Sequence, residues 1–288
     1  MPVLLCAGFG YSAEALARLL LEEGWRVIGT HRNEDGAARI RAAGAEPAPW
    51  PPGPEILDAA THLLVSAAPD EAGDPTLRAL GPGLKAPPLE WVGYLSTTGV
   101  YGDHQGGWVD ETTPLTPATA RGRMRAAAEA DWRATGLPLQ IFRLAGIYGP
   151  GRGPFEKVRR GEARRIVKEG QVFSRIHRDD IAAALRASIA RPEPGGVYNL
   201  CDDEPAPPED VIGHAAALLG MPEPPIVGFE EAELSPMARS FYAESKRVSN
   251  RRMKERLGVR LRWPTYREGL AAILAEERGV AAAAHQNK

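Results

Sequence analysis

The residues Gly8-Phe9-Gly10-Tyr11-Ser12-Ala13 constrain this chain more than any other segment. They follow a short apolar run at residues 3–7 and open an amphipathic stretch with Leu16, Leu19 and Leu20 on one side. A strand that ends in Gly-x-Gly-x-x-Ala and turns directly into a helix aims the first helical N–H groups at an anion above the second glycine. Gly8 permits the tight turn, Gly10 lets a phosphate approach the backbone, and Ala13 lets helix and strand pack closely. Gly8, Phe9, Gly10, Tyr11 and Ser12 are therefore expected to hold the pyrophosphate of a dinucleotide.

The same rhythm continues along the chain. A helix is expected at residues 12–23, a strand at 26–30 and a helix at 37–43, with further strands at 62–66, 91–96, 139–144 and 196–200. Short β-branched or aromatic runs alternating with helical patterns mean βαβ units. The fold class expected is α/β, a Rossmann-type doubly wound parallel sheet of at least six strands. Ligands bind outside the carboxyl ends of strands in such sheets, which adds Ala67, Ala68, Leu144 and Ala145 to the expected cofactor contacts.

The end of the second strand chooses between the nicotinamide cofactors, because a carboxylate there accepts from the ribose 2′-OH and repels a 2′-phosphate. Here the chain reads Gly29-Thr30-His31-Arg32-Asn33. With no carboxylate and a guanidinium in reach, His31 and Arg32 favour NADP, with NAD as the alternative cofactor. The plainer reading of Arg32 is a solvated loop residue.

After Gly149 the texture changes to a Gly/Pro loop, a basic stretch and a hairpin expected at residues 165–176 around Glu169-Gly170. The chain of 288 residues suits one large domain with a smaller lobe. Residues 1–150 with 177–203 are read as the dinucleotide-binding domain, and 151–176 with 204–288 as a substrate-capping lobe, ending in a frayed tail at 281–288. From Arg152 to Arg178 there are nine Lys/Arg against three Glu, an excess that attracts an anionic small-molecule substrate if it faces the cleft. A solvated helix face is the alternative. The net charge of −2 argues against nucleic acid as a partner. Cys6 and Cys201 are isolated, without metal-site or disulfide spacing. The N-terminus has neither a signal-peptide nor a membrane-span pattern, so no membrane partner and a cytoplasmic location are expected. The sequence does not give the oligomeric state.

Several segments resemble one family: Leu95-Ser-Thr-Thr-Gly-Val-Tyr-Gly-Asp103, Phe142-Arg-Leu-Ala-Gly-Ile-Tyr-Gly-Pro-Gly-Arg152, Arg175-Ile-His-Arg-Asp-Asp-Ile181 and Gly196-Val-Tyr-Asn-Leu-Cys-Asp-Asp-Glu-Pro205. They are similar to the extended short-chain dehydrogenase/reductases, the group of nucleotide-sugar epimerases and dehydratases, over almost the whole chain. The resemblance implies an NAD(P)-dependent oxidoreductase or epimerase-like enzyme. It places Thr97 where the family has a catalytic Ser or Thr, and Arg152 and His177 at the substrate, with a structural role as the alternative for His177.

The family's Tyr-xxx-Lys pair does not match. Counting back four from Glu129 puts Arg125 at the Lys place and Arg121 at the Tyr place. A guanidinium does not donate a proton near neutrality, so the family's acid/base step does not carry over to these two arginines. Arg125 can still hold a ribose or phosphate oxygen, and Arg121, one turn away, can bind a substrate carboxylate or polarise a carbonyl. Both are alternatively solvated helix residues. The literal Tyr242-Ala-Glu-Ser-Lys246 lies after the last strand and is rejected. Tyr101, just beyond Thr97, is the expected replacement acid, with a packed loop tyrosine as its alternative. A second reading of the whole chain is a non-catalytic dinucleotide-binding sensor or scaffold.

Overall fold

Continuous apolar runs bounded by turns become the buried strands of a parallel sheet, since both faces of such a sheet are covered by helices. In the computed structural model, which describes residues 1–84 and 89–286, seven strands form one sheet. They are β1 (Val3–Ala7), β2 (Arg26–His31), β3 (Glu46–Pro49), β4 (His62–Val65), β5 (Trp91–Thr97), β6 (Leu139–Leu144) and β7 (Val197–Leu200). Their order is β7-β6-β5-β4-β1-β2-β3, and all six pairings are parallel. The fold is therefore the doubly wound Rossmann type. Between β1 and β4 the strand order reverses, which opens a crevice at their carboxyl ends.

The helices that matter here are α1 (Tyr11–Glu22), α2 (Glu34–Ala42), α3 (Ala120–Ala134), α4 (Arg178–Ala190), α5 (Pro208–Leu219) and α6 (Tyr266–Gln286). On one face of the sheet α1 and α4 bury Leu16, Leu20, Ile181 and Leu185 against Leu4, Leu64 and Phe142. On the other, Trp132 of α3 packs with Val65, Tyr94 and Ile141. A third core joins Tyr148, Phe155, Val211, Ala215, Tyr266 and Leu270. No described helix is long and apolar enough to cross a membrane.

β3 carries Pro47 and Pro49 and lies at the sheet edge, where missing N–H donors are tolerated. Two local expectations are corrected. The hairpin at 165–176 does not form. Gly170 does turn the chain at positive φ, but Arg165–Val167 pairs in parallel with Ile226–Gly228, and Arg175–His177 with Gly146–Tyr148. At the C-terminus α6 runs to Gln286, which absorbs most of the expected tail; residues 287–288 lie outside the described ones.

Candidate functional site

At the crevice, Gly8 turns with φ +87°, and a Cβ there would lie 3.1 Å from Ser66 Oγ and 3.2 Å from Ala67 N. The turn is held from both sides. Thr30 Oγ1 of β2 accepts the Gly8 N–H at 2.8 Å and donates to Cys6 O, while Ser66 Oγ donates to Gly8 O at 2.6 Å. A Cβ on Gly10 would meet no described atom within 4 Å, and α1 begins there without a side-chain cap. The start of α1 thus has no side-chain cap and lies beside open space at Gly10, the arrangement that receives an anion. Phe9 contributes only backbone: its ring is buried against Gly29, and its carbonyl accepts from Arg39 of α2. Thr30 and Ser66 had no signal in the sequence beyond their places at strand ends.

At the end of β2, His31 is half-buried with Nδ1 3.0 Å from Asn33 O, and Asn33 caps α2 through Gly36 N at 2.9 Å. Arg32 is exposed and, among the described residues, has no hydrogen bond or ion pair. No carboxylate occupies the end of β2. Ala67 and Ala68 follow β4 at the crevice, and Leu144 and Ala145 close β6 with little side-chain exposure.

The helix α3 sits unusually close to the end of β5. A Cβ on Gly122 would lie 2.7 Å from Gly99 O, so only a glycine allows this approach, and it carries Arg121 and Arg125 toward the strand ends. Arg125 Nη1 donates to Leu95 O at 2.8 Å, to Tyr94 Oη at 3.0 Å and to Ala67 O at 3.4 Å, bridging β5 and the segment after β4. Arg121 is exposed, its guanidinium 5.8 Å from the ring of Phe241. Thr97 is half-buried. Its Oγ1 accepts from Gly99 N at 3.1 Å, which starts the 3-10 turn Thr98–Tyr101 and leaves its own proton free to donate.

Tyr101 is a correction. That turn points its side chain into the core, where it is fully buried. Its hydroxyl donates to Asn199 Oδ1 at 2.7 Å and accepts from Arg143 Nη1 at 2.9 Å, and burial pushes the phenol up to about 12. It is not placed to transfer a proton in the crevice. The same network contains residues that sequence reasoning missed: Arg143 of β6 grips Glu129 of α3 at 2.8 and 3.1 Å, and Ser96 donates to Glu129 at 2.6 Å. A charged residue within an otherwise uncharged, mostly apolar strand was the available signal for Arg143.

His177 is also corrected. It is buried between Tyr148 and Trp263, its Nδ1 accepts the Asp179 N–H at 3.2 Å as the cap of α4, and burial lowers its pKa to about 4. It does not offer a substrate contact. Asp180, in the first turn of α4, accepts the N–H groups of Arg262 and Trp263 at 2.7 and 3.1 Å. Arg152 is exposed at the start of α1, 5.8 Å from the Tyr11 ring, with Arg178 at 4.8 Å over the same ring. Tyr11 Oη donates to Pro150 O at 2.9 Å. Most other cations of this stretch are engaged locally, Arg159 with Glu277, Arg165 with Glu223 and Lys168 with the Tyr242 carbonyl. Tyr242 packs against Phe173 and Phe229, and Lys246 donates to Gly102 O and Glu244 at 2.7 Å, so this Tyr-xxx-Lys is structural.

No protein-family model matches the chain. It is 31% identical over 245 residues to protein YeeZ of Escherichia coli K12, covering 78% of this chain and 86% of that protein. A 3-diazoavenalumate denitrifying reductase from Streptomyces is 30% identical over 57% of this chain and 55% of its own. Among solved structures, a conserved protein of unknown function from Silicibacter pomeroyi is 60% identical with a TM-score of 0.91, covering 96% of this chain and 99% of that one. A structure from Methylobacillus flagellatus, provisionally described as an NAD-dependent epimerase/dehydratase, is 29% identical with a TM-score of 0.73 over 96% and 98% of the two chains. The dTDP-glucose 4,6-dehydratase of Bacillus anthracis, solved with NAD, shares the fold at 19% identity and a TM-score of 0.76 over 96% and 98%.

Proposed function

Because this chain belongs to the family that includes Escherichia coli protein YeeZ, we propose that it is an NAD(P)-dependent oxidoreductase or epimerase-like enzyme of the extended short-chain dehydrogenase/reductase type, acting on a small anionic substrate. The observation that carries this reading is the open N-terminus of α1 above Gly10, a cradle that a Cβ would begin to fill. Gly8 to Ser12 would hold the pyrophosphate, and Arg32, with His31, the ribose 2′-phosphate of NADP. Arg125 would hold the ribose on the nicotinamide side, with Ala67, Ala68, Leu144 and Ala145 bounding the groove. When bound, the dinucleotide supplies or accepts a hydride.

The chain's own groups then bind and orient. Thr97 donates its free proton to the reacting oxygen, an electrostatic role that does not require a change of protonation. Arg121, one turn before Arg125 on α3, would add a positive charge on the substrate side. The capping lobe of residues 151–176 and 204–288 contributes Arg152 near the start of α1. The name of the Streptomyces relative, a reductase, supports hydride transfer as the reaction class.

Calorimetric titration with NADPH and NADH tests the reading. NADPH is expected to bind roughly tenfold more tightly than NADH, and Arg32→Ala is expected to remove the difference. Equal affinities would refute the NADP preference; binding of neither would refute the dinucleotide site. One observation favours a second reading, a non-catalytic sensor or scaffold: Tyr101 is buried, so the expected replacement for the family's tyrosine does not offer its phenol to the crevice. NADPH consumption, with product analysis, over a panel of carbonyl compounds and nucleotide sugars separates the two.

A further inference from the structure

Arg121 and Phe241 meet across the crevice, one from α3 beside the sheet and one from the short helix Pro236–Phe241 of the other lobe. Among the described residues Arg121 has neither a hydrogen bond nor an ion pair. Phe241 is 54% exposed, and Met237, one turn earlier on the same face, is 63% exposed. A solvated cation 5.8 Å from a ring gains little, so their mutual contact does not account for two large apolar side chains left in water. The lip has a firm base, because Tyr242 beside it is packed on Phe173 and Phe229, and Ser235 caps the short helix at Ala238 N. Four residues from Arg121, Arg125 is anchored to Leu95 of β5 and to Ala67 after β4, which places the lip next to the end of the crevice where β5 stops.

Resting on the dinucleotide-enzyme reading above, we propose that Arg121 and Phe241 form the two sides of a recognition lip for an aryl or conjugated carboxylate. Arg121 takes the carboxylate through two parallel N–H bonds, and Phe241 with Met237 covers the planar unsaturated group. Charge matching favours this class over a nucleotide diphosphate. A diphosphate needs several free cations together, whereas Arg159, Arg165 and Lys168 are already engaged and Arg121 is the one cation among the three lip residues. A single cation beside an apolar face suits a monoanion whose charge adjoins a ring.

The probe is trans-cinnamate, titrated calorimetrically into the full chain saturated with NADPH. Comparators are cinnamyl alcohol, which keeps the ring without the charge, acetate, which keeps the charge without the ring, and UDP-glucose. Cinnamate is expected to bind at least about tenfold more tightly than each of the three, to lose about tenfold on Arg121→Ala and to lose several-fold on Phe241→Ala. Arg123→Ala, which removes an exposed arginine from another side of α3, is expected to change nothing. Absence of cinnamate binding at millimolar concentration, equal binding of the alcohol, tighter binding of UDP-glucose, or wild-type cinnamate affinity in both lip variants overturns the proposal. NADPH titrations on the same samples keep the two claims apart. NADPH binding without cinnamate binding defeats the lip alone, while loss of NADPH binding defeats the reading on which it rests.

Discussion

The guanidinium of Arg125 is tied to the carbonyl oxygen of Leu95 at 2.8 Å, which fixes a positive charge at the carboxyl end of β5. A second bond, to Tyr94 Oη at 3.0 Å, limits its rotation, so little side-chain entropy is left to lose when a ligand oxygen arrives. Arg125→Ala is therefore expected to weaken NADPH binding by about tenfold, the worth of a charge-assisted hydrogen bond. Arg123→Ala serves as the control. Fluorescence titration of NADPH reads both, and equal affinities would remove Arg125 from the cofactor site.

Gly10→Val is expected to abolish dinucleotide binding and leave the fold intact. The space above Gly10 is empty to 4 Å, and its φ of −92° is one that a branched residue adopts, so the folded chain accommodates the side chain. The pyrophosphate would then have to occupy the same volume. Circular dichroism should match the wild type. Wild-type NADPH affinity in this variant would mean that the fingerprint has been misread.

The sheet was legible because its central strands are continuous apolar runs, and the crevice because Gly8 and Gly10 sit between a strand and a helix. What failed to show were facts set by distant partners. Tyr101 lies at the end of β5 like a site residue, but whether its ring faces the crevice or the core depends on the 3-10 turn after Thr97 and on Arg143 and Asn199, 42 and 98 residues away. His177 carries a family motif, and only the placement of Tyr148 and Trp263 around it shows a buried cap. The hairpin at 165–176 failed for the same reason, since a turn signal at Gly170 does not say which strands its arms will join.

The buried network gives a prediction about stability instead of turnover. Tyr101→Phe removes the hydroxyl that accepts from Arg143 and donates to Asn199, leaving both without that partner, at a cost of about 1–3 kcal/mol. Glu129→Ala strands Arg143, which is 3% exposed, and should cost about 3–5 kcal/mol. Urea unfolding followed by tryptophan fluorescence measures both. A Tyr101→Phe protein of wild-type stability with much reduced turnover would restore Tyr101 as a catalytic candidate.

Asp202 makes the stability of the protein depend on pH near neutrality. It is 1% exposed, neither carboxyl oxygen has a full hydrogen bond among the described residues, and burial raises its pKa to about 8 against the opposing pull of Arg175 and of the nearby Glu204 N–H. In the unfolded chain the group titrates near its ordinary value of about 4. Between these limits the folded protein holds one proton more than the unfolded chain, so stability falls as pH rises; the contribution is complete below about 4 and gone above about 8. His177 acts with the opposite sign, but only between its folded value of about 4 and its ordinary value of about 6.5. The interval from about pH 6.5 to 8 therefore isolates Asp202 from His177. Across it the wild type is expected to lose at most about 2 kcal/mol, since one proton corresponds to about 1.4 kcal/mol per pH unit. Asp202→Asn keeps the shape, carries no charge at any pH, and should show a flat stability profile over the same interval. Urea midpoints for both proteins at pH 6.5, 7.25 and 8 decide the matter, and parallel profiles would show that Asp202 is already ionised in the folded state.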